Sequence, residues 1–178
     1  MNDDARLVVP INDEDHRKGR LDAPIQLVEY GDFECPYCGL AYPIVKEVER
    51  QYGRMMCFAF RQFPLPQHPH AYGAATASEY AGDYRRFWEM HDTLFENQRA
   101  LAIPNLLAYA EQLELDPEGL VAALRDGTYL PVIEGDKESG IESGVQGTPT
   151  FYLNNVRFDA EPTLDNFAAA IEELLSRV

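Results

Sequence analysis

The sequence has no apolar run long enough to cross a bilayer, so nothing in it reads as a transmembrane helix. Basic residues are scarce: 15 Lys and Arg stand against 30 Asp and Glu, a formal net charge of −15. A field of that sign repels phosphate backbones and anionic lipid, which excludes nucleic acid and membrane surfaces as expected partners and otherwise serves solubility. The N-terminus, MNDDARLVVPINDEDHRKGR, lacks the basic head and apolar stretch of a signal peptide. A cytoplasmic location is the expectation, which a removed leader would overturn. Cysteine is sparse as well. Three cysteines are too few, and odd in number, for a disulfide scaffold. There is no internal repeat and no low-complexity segment. The Gly135, Gly140, Gly144, Gly147 series follows no strand and lacks a phosphate-loop lysine, which argues against nucleotide binding. No Ser/His/Asp arrangement stands out.

What is present suits one domain, 178 residues and 46 % apolar, enlarged by an insertion. Residues 1–24 read as a charged lead-in, with RLVVPI (6–11) a short edge strand. PIQLVEYGDF, from Pro24 to Phe33, is β-rich and mostly apolar, as a buried central strand is. Pro36 sits where a helix would begin, and Leu40, Ile44, Val45 and Val48 recur at helical spacing until Gly53. RMMCFAFRQF (54–63) is the next strand, which completes a parallel βαβ unit. From about 64 to 144 the pattern is helical throughout: five amphipathic segments with no convincing strand. TFYLNN and VRFD then form a hairpin about an Asn-Asn turn, and LDNFAAAIEELLSRV closes as a helix. The expected fold is α/β, with an all-helical block inserted into a small sheet domain.

FECPYCG (33–39) carries the chemistry. Cys35 and Cys38 lie on one face of a first helical turn, with Cα atoms about 5 Å apart, inside disulfide range. Cys35 precedes the helix, where free backbone N–H groups and the positive dipole end favour a thiolate and make it the nucleophile. Cys38, one turn in, is the shielded resolving thiol. Zinc would need two further ligands from Cys57, His16, His68, His70 and His91, which form no second tight pair except HPH. A static disulfide suits a reducing compartment poorly. Thiol–disulfide exchange is the reading that remains.

LVEYGDFECPYCG, with GVQGTPTFYLNN, FRQFPL, HPHA, FWEMHDTLFENQ and LLAYAEQLELD, resembles the DsbA-like thioredoxin-fold oxidoreductases from about Asp22 to the C-terminus. The resemblance implies a thioredoxin fold (βαβ…ββα) and three functional parts. Cys35 and Cys38 match the nucleophilic and resolving cysteines. Thr148 and Pro149 match the loop where a cis-proline faces them; with Pro36 and Tyr37 these are the substrate-facing residues, able to hold an extended peptide by strand addition. Glu29 matches the buried acid beneath the cysteines, able to relay the Cys38 proton. Implied partners are protein or peptide thiols and disulfides, with glutathione or a thioredoxin system as redox partner; no cofactor or metal is implied. One departure matters. Strong oxidants of the family carry Pro-His between the cysteines; Tyr37 adds no positive charge, which places the expected potential between roughly −180 and −270 mV. Two alternatives stand beside this reading: a glutathione-dependent reductase or transferase on the same fold, and a non-catalytic redox-sensing module that binds peptides. Of the other candidates, Cys57 reads as a buried small hydrophobe and His91, Trp88 and Phe95 as packing between insertion and core. His68 and His70 fit loop or helix-start roles, and Asp32 and Glu34 are solvated acids or repel the Cys35 thiolate.

Overall fold

The structure, a computed structural model, describes residues 6–177. Strands β1 (His16–Lys18), β2 (Ile25–Gly31), β3 (Met56–Gln62), β4 (Thr150–Leu153) and β5 (Val156–Phe158) form one sheet in the order β1-β3-β2-β4-β5. β2 and β3 run parallel, Ile25 opposite Met56 and Gly31 opposite Gln62, joined by helix α1 (Pro36–Tyr52). Every other pairing is antiparallel. The two central strands are covered on both faces, which is why they read as nearly unbroken apolar runs.

Side chains of a strand alternate between faces, and this sorts β2. Ile25 and Leu27 enter the larger core with Cys38, Ala41, Val45 and Val48 of α1. Val28 and Tyr30 enter a second core with Cys57, Ala59, Phe63 and Tyr152. Glu29 has the parity of Ile25 and Leu27. Its carboxyl is therefore carried into the face that α1 covers, where it is almost fully buried.

Between β3 and β4 lie α2 (Ala71–Asp83), α3 (Phe87–Glu96), α4 (Ile103–Gln112), α5 (Pro117–Asp126) and α6 (Leu130–Glu142). These match the five helical segments expected there. Asp116 caps α5 by accepting from the Glu118 N–H, and Gly127 ends it in the left-handed region at φ 64°. The block is riveted to the core by aromatic rings: His91 packs edge-on against Phe33, Phe60 and Phe95, and Trp88 lies against Phe58. Asn154 and Asn155, both at positive φ, turn β4 into β5. Helix α7 (Leu164–Leu175), capped by Thr163, buries Phe167 and Ile171 against the sheet.

One expectation fails. RLVVPI is not an edge strand; Arg6 alone forms an isolated bridge, with Val156. Leu7 and Ile11 instead plug the second core. The edge is β1, three polar residues paired with β3 from His16↔Phe60 to Lys18↔Phe58.

Candidate active site

Cys35 is the residue before α1, in an extended conformation at φ −69° and ψ 121°, with Pro36 as the first helical residue. Proline is pre-set for that position and lacks only an N–H that the helix would leave free anyway. Cys35 is just 3 % exposed, and its Sγ lies 3.4 Å from the Thr148 carbonyl oxygen. Its thiol is pulled down to about 5, chiefly by the hydrogen bond from Cys38. Burial opposes this, while the Thr148 side chain and the backbone N–H groups of Cys38 and Tyr37 add to it. Cys38 is completely buried, and burial pushes its thiol well above the ordinary range, as do its bond to Cys35 and the nearby Glu29 charge. Both cysteines are free thiols. One helical turn therefore holds one thiol ready to ionise and one that resists ionisation.

Beneath them, Glu29 is pushed up to about 8, by burial first and then by the charges of Glu49 and Cys35. Its Oε1 has no hydrogen-bond partner. Asp32 follows β2, and its carboxyl is fully enclosed. Oδ1 accepts from the Glu34 N–H at 2.8 Å, and Oδ2 from the Leu65 N–H at 2.9 Å and from His68 Nδ1 at 2.7 Å. The Asp32 N–H lies 3.5 Å from Cys38 Sγ. Glu34 in turn accepts from the N–H and the ring of His70.

Gln98, in the turn after α3, braces the site from the helical block. Its Nε2 donates to the carbonyls of Phe33 and Cys35, each at 2.8 Å. Gly39 makes room for it: a Cβ there would stand 2.0 Å from Gln98 Oε1. Beside the cysteines a groove of about 490 Å³ is lined by Tyr37, Leu40, Ile44, Thr148, Pro149 and Pro162. Tyr37 and Leu40 are about two-thirds exposed there, at 70 % and 68 %. The Thr148–Pro149 peptide is cis.

The structure thus brings Cys35, Cys38, Glu29, Pro36, Tyr37, Thr148 and Pro149 into one neighbourhood. Cys57 is far from exchange chemistry, enclosed in the second core. His91 is buried and packs as expected. Of the two readings for Asp32, the solvated acid fails: its carboxyl is enclosed, because Leu65 and His68 cross over to bond it. Gln98 is absent from the sequence reading. No local pattern marks it, since its partners lie more than 60 residues away. Among the described residues, no helix is long and apolar enough to cross a membrane.

Comparisons with known proteins bear on this arrangement. A family model described as Thioredoxin matches residues 12–173. A protein of Salinispora arenicola named Na(+)/H(+) antiporter NhaA 1 is 42 % identical over 167 residues, 93 % of this chain and 26 % of that protein. The Na(+)/H(+) antiporter NhaA of Herminiimonas arsenicoxydans is 36 % identical over 167 residues, 93 % of this chain and 27 % of its own length. The chain spans about a quarter of the length of these curated relatives. Among solved structures, oxidised BdbD from Bacillus subtilis superposes with a TM-score of 0.86 at 26 % identity, covering 97 % of this chain and 98 % of that one. Wolbachia pipientis alpha-DsbA1 shares the fold at a TM-score of 0.81 and 22 % identity, over 96 % of this chain and 95 % of the other.

Proposed function

The chain belongs to the DsbA-like family of thioredoxin-fold proteins, and from that premise we propose that it is a thiol–disulfide oxidoreductase acting on protein or peptide cysteines through Cys35 and Cys38. The observation that carries this is the asymmetry of the pair: a Cys35 thiol held at about 5 within one helical turn of an enclosed Cys38 whose thiol is raised. Such a pair has one nucleophile at neutral pH and one thiol kept in reserve.

In the reducing direction the Cys35 thiolate attacks one sulfur of a substrate disulfide. The other substrate sulfur leaves as a thiolate, and a mixed disulfide forms. Cys38 gives up its proton and attacks the Cys35 sulfur, which expels the second substrate thiolate and leaves Cys35–Cys38 oxidised. Two electrons have passed to the substrate, and an external thiol, glutathione or a thioredoxin-type reductant, restores the pair. Glu29 is the proposed acceptor of the Cys38 proton. Its support is a shared buried face and a carboxyl at about 8, basic enough to take a proton from a thiol. The apolar groove is the proposed dock for an extended substrate segment, whose backbone would pair beside Thr148 and Pro149. In a cytosolic thiol pool, where we place the protein, the net direction is reduction or reshuffling.

Insulin reduction with dithiothreitol tests the function. Turbidity should appear earlier with the protein present, Cys35→Ser should abolish the effect, and Cys38→Ser should accumulate mixed disulfides. A lag equal to that with dithiothreitol alone would refute catalysis. A second reading concerns the partner: the antiporter names belong to proteins about four times as long as the stretch this chain matches. We propose a membrane transporter among its thiol partners. Trapping with Cys38→Ser in membrane fractions should then capture one as a mixed disulfide.

A further inference from the structure

The Asp32–His68 pair takes no part in the steps above, yet the Asp32 backbone bonds both cysteines. The Asp32 carboxyl accepts from two backbone N–H groups and lies 2.7 Å from the His68 ring nitrogen Nδ1. It is fully enclosed, its own N–H meets Cys38 Sγ, and its carbonyl accepts from the Cys35 N–H at 3.1 Å. A bare negative charge at that spot would repel the Cys35 thiolate. Of the groups bonded to this carboxylate, His68 is the one able to carry positive charge. Tyr37 supplies no charge from between the cysteines.

We infer that His68 is a positioning residue for the exchange reaction: as an imidazolium it balances Asp32, and so permits the Cys35 thiolate to form beside a buried carboxylate. The inference rests on the proposed oxidoreductase reading. The titratable groups that the structure places around His68 are Asp32, Glu34 and Cys35 at the start of α1, with His70 on its own segment bound to Glu34. Burial lowers the imidazolium, but the bond to Asp32 and the charges of Asp32, Cys35 and Glu34 reverse this and leave it raised above its ordinary value. His68 is therefore charged over a wider pH range than a free histidine. When it deprotonates, Asp32 is left unbalanced, the thiolate is disfavoured, and the equilibrium shifts from dithiol toward disulfide.

His68→Gln keeps a donor for Asp32 without the charge. In a Cys38→Ser background, thiolate absorbance should show the Cys35 midpoint rising by about half to one pH unit. With both cysteines present, the constant for reduction by glutathione at pH 7 should fall about three- to tenfold, since one pH unit in the thiol is a factor of ten. Asp32→Asn removes the charge that His68 balances, so in that background His68→Gln should move the midpoint by less than half as much. An unmoved midpoint in His68→Gln, in a protein that still equilibrates with glutathione, would overturn the role of His68 alone. A shift that persists in full with Asp32→Asn would also overturn it, because the effect would then lie outside the pair. Failure of the unmodified cysteines to equilibrate with glutathione at all would instead sink the oxidoreductase reading and this inference with it.

Discussion

Replacing Tyr37 with histidine should make the Cys35–Cys38 couple more oxidising, and the starting point of that shift follows from the site. A thiol at about 5 sits between those of thioredoxin, about 7, and DsbA, about 3.5. At pH 7, ionisation of Cys35 favours the reduced form by about a factor of 100, against about 2 for a thiol at 7. The ratio, about 50, is roughly 1.7 decades. At about 30 mV per decade for two electrons, the couple should titrate some 50 mV above thioredoxin, near −220 mV. Tyr37 is 70 % exposed, so histidine replaces it without emptying the core. An imidazolium beside the thiolate should lower Cys35 by about one further pH unit, which is one more decade and about 30 mV. Tyr37→His should therefore titrate near −190 mV in glutathione buffers after acid trapping and thiol alkylation. A potential that stays put or falls would refute the reasoning, since the thiolate would not be what sets the couple. A starting value above about −140 mV would make the protein an oxidase and export the better expectation.

Other outcomes follow from buried groups. Glu29 ionises near pH 4.5 in the unfolded chain but near 8 in the fold, so native stability should decline by several kcal/mol as pH rises between those values. Glu29→Gln should lose that slope in urea titrations at pH 5 and 8, yet slow resolution of the mixed disulfide about ten- to a hundredfold in stopped flow. His91 runs the other way. Burial holds its pKa down to about 4 against 6.5 when unfolded, so stability should fall by about 3 kcal/mol on acidification across that range. Phenylalanine at 91 should flatten this limb, and an unchanged limb would assign acid sensitivity elsewhere. Gln98→Ala strips a donor from two enclosed carbonyls and should cost about 1–3 kcal/mol in thermal or urea unfolding; a neutral result would mean that water replaces the amide.

Much of this was legible in residue order because the signals are local. Cys-Pro-Tyr-Cys after an apolar strand sets a helix start; Glu29 is implied by the family resemblance, and in the fold it shares the parity of Ile25 and Leu27. Five helical stretches between residues 64 and 144 can be read singly from their pattern, although α2 proves to be buried on nearly every side. The misses share one cause. His16–Lys18 is an edge strand with polar side chains, held by pairing to β3, so no alternation announces it. RLVVPI has strand-like composition, but Leu7 and Ile11 fill the second core without extending the ladder, and Val8 and Val9 are exposed. Asp32 looks solvated until Leu65 and His68 arrive from 33 and 36 residues along the chain. Composition carries no record of such distant partners.

The bond between Cys35 and Thr148 closes a loop of 113 residues, and the Gln98 brace one of 63. A ribosome releases the two cysteines first and their partners much later. Throughout that interval Cys35 lacks the Thr148 side chain and the fixed helix start, so it should behave as an unfolded thiol near 8.5, mostly protonated at neutral pH. The lowered thiol of Cys35 is thus among the last properties the growing chain acquires. A half-made copy therefore presents an ordinary cysteine, only a few per cent thiolate at neutral pH, in place of the finished protein's low-pKa nucleophile.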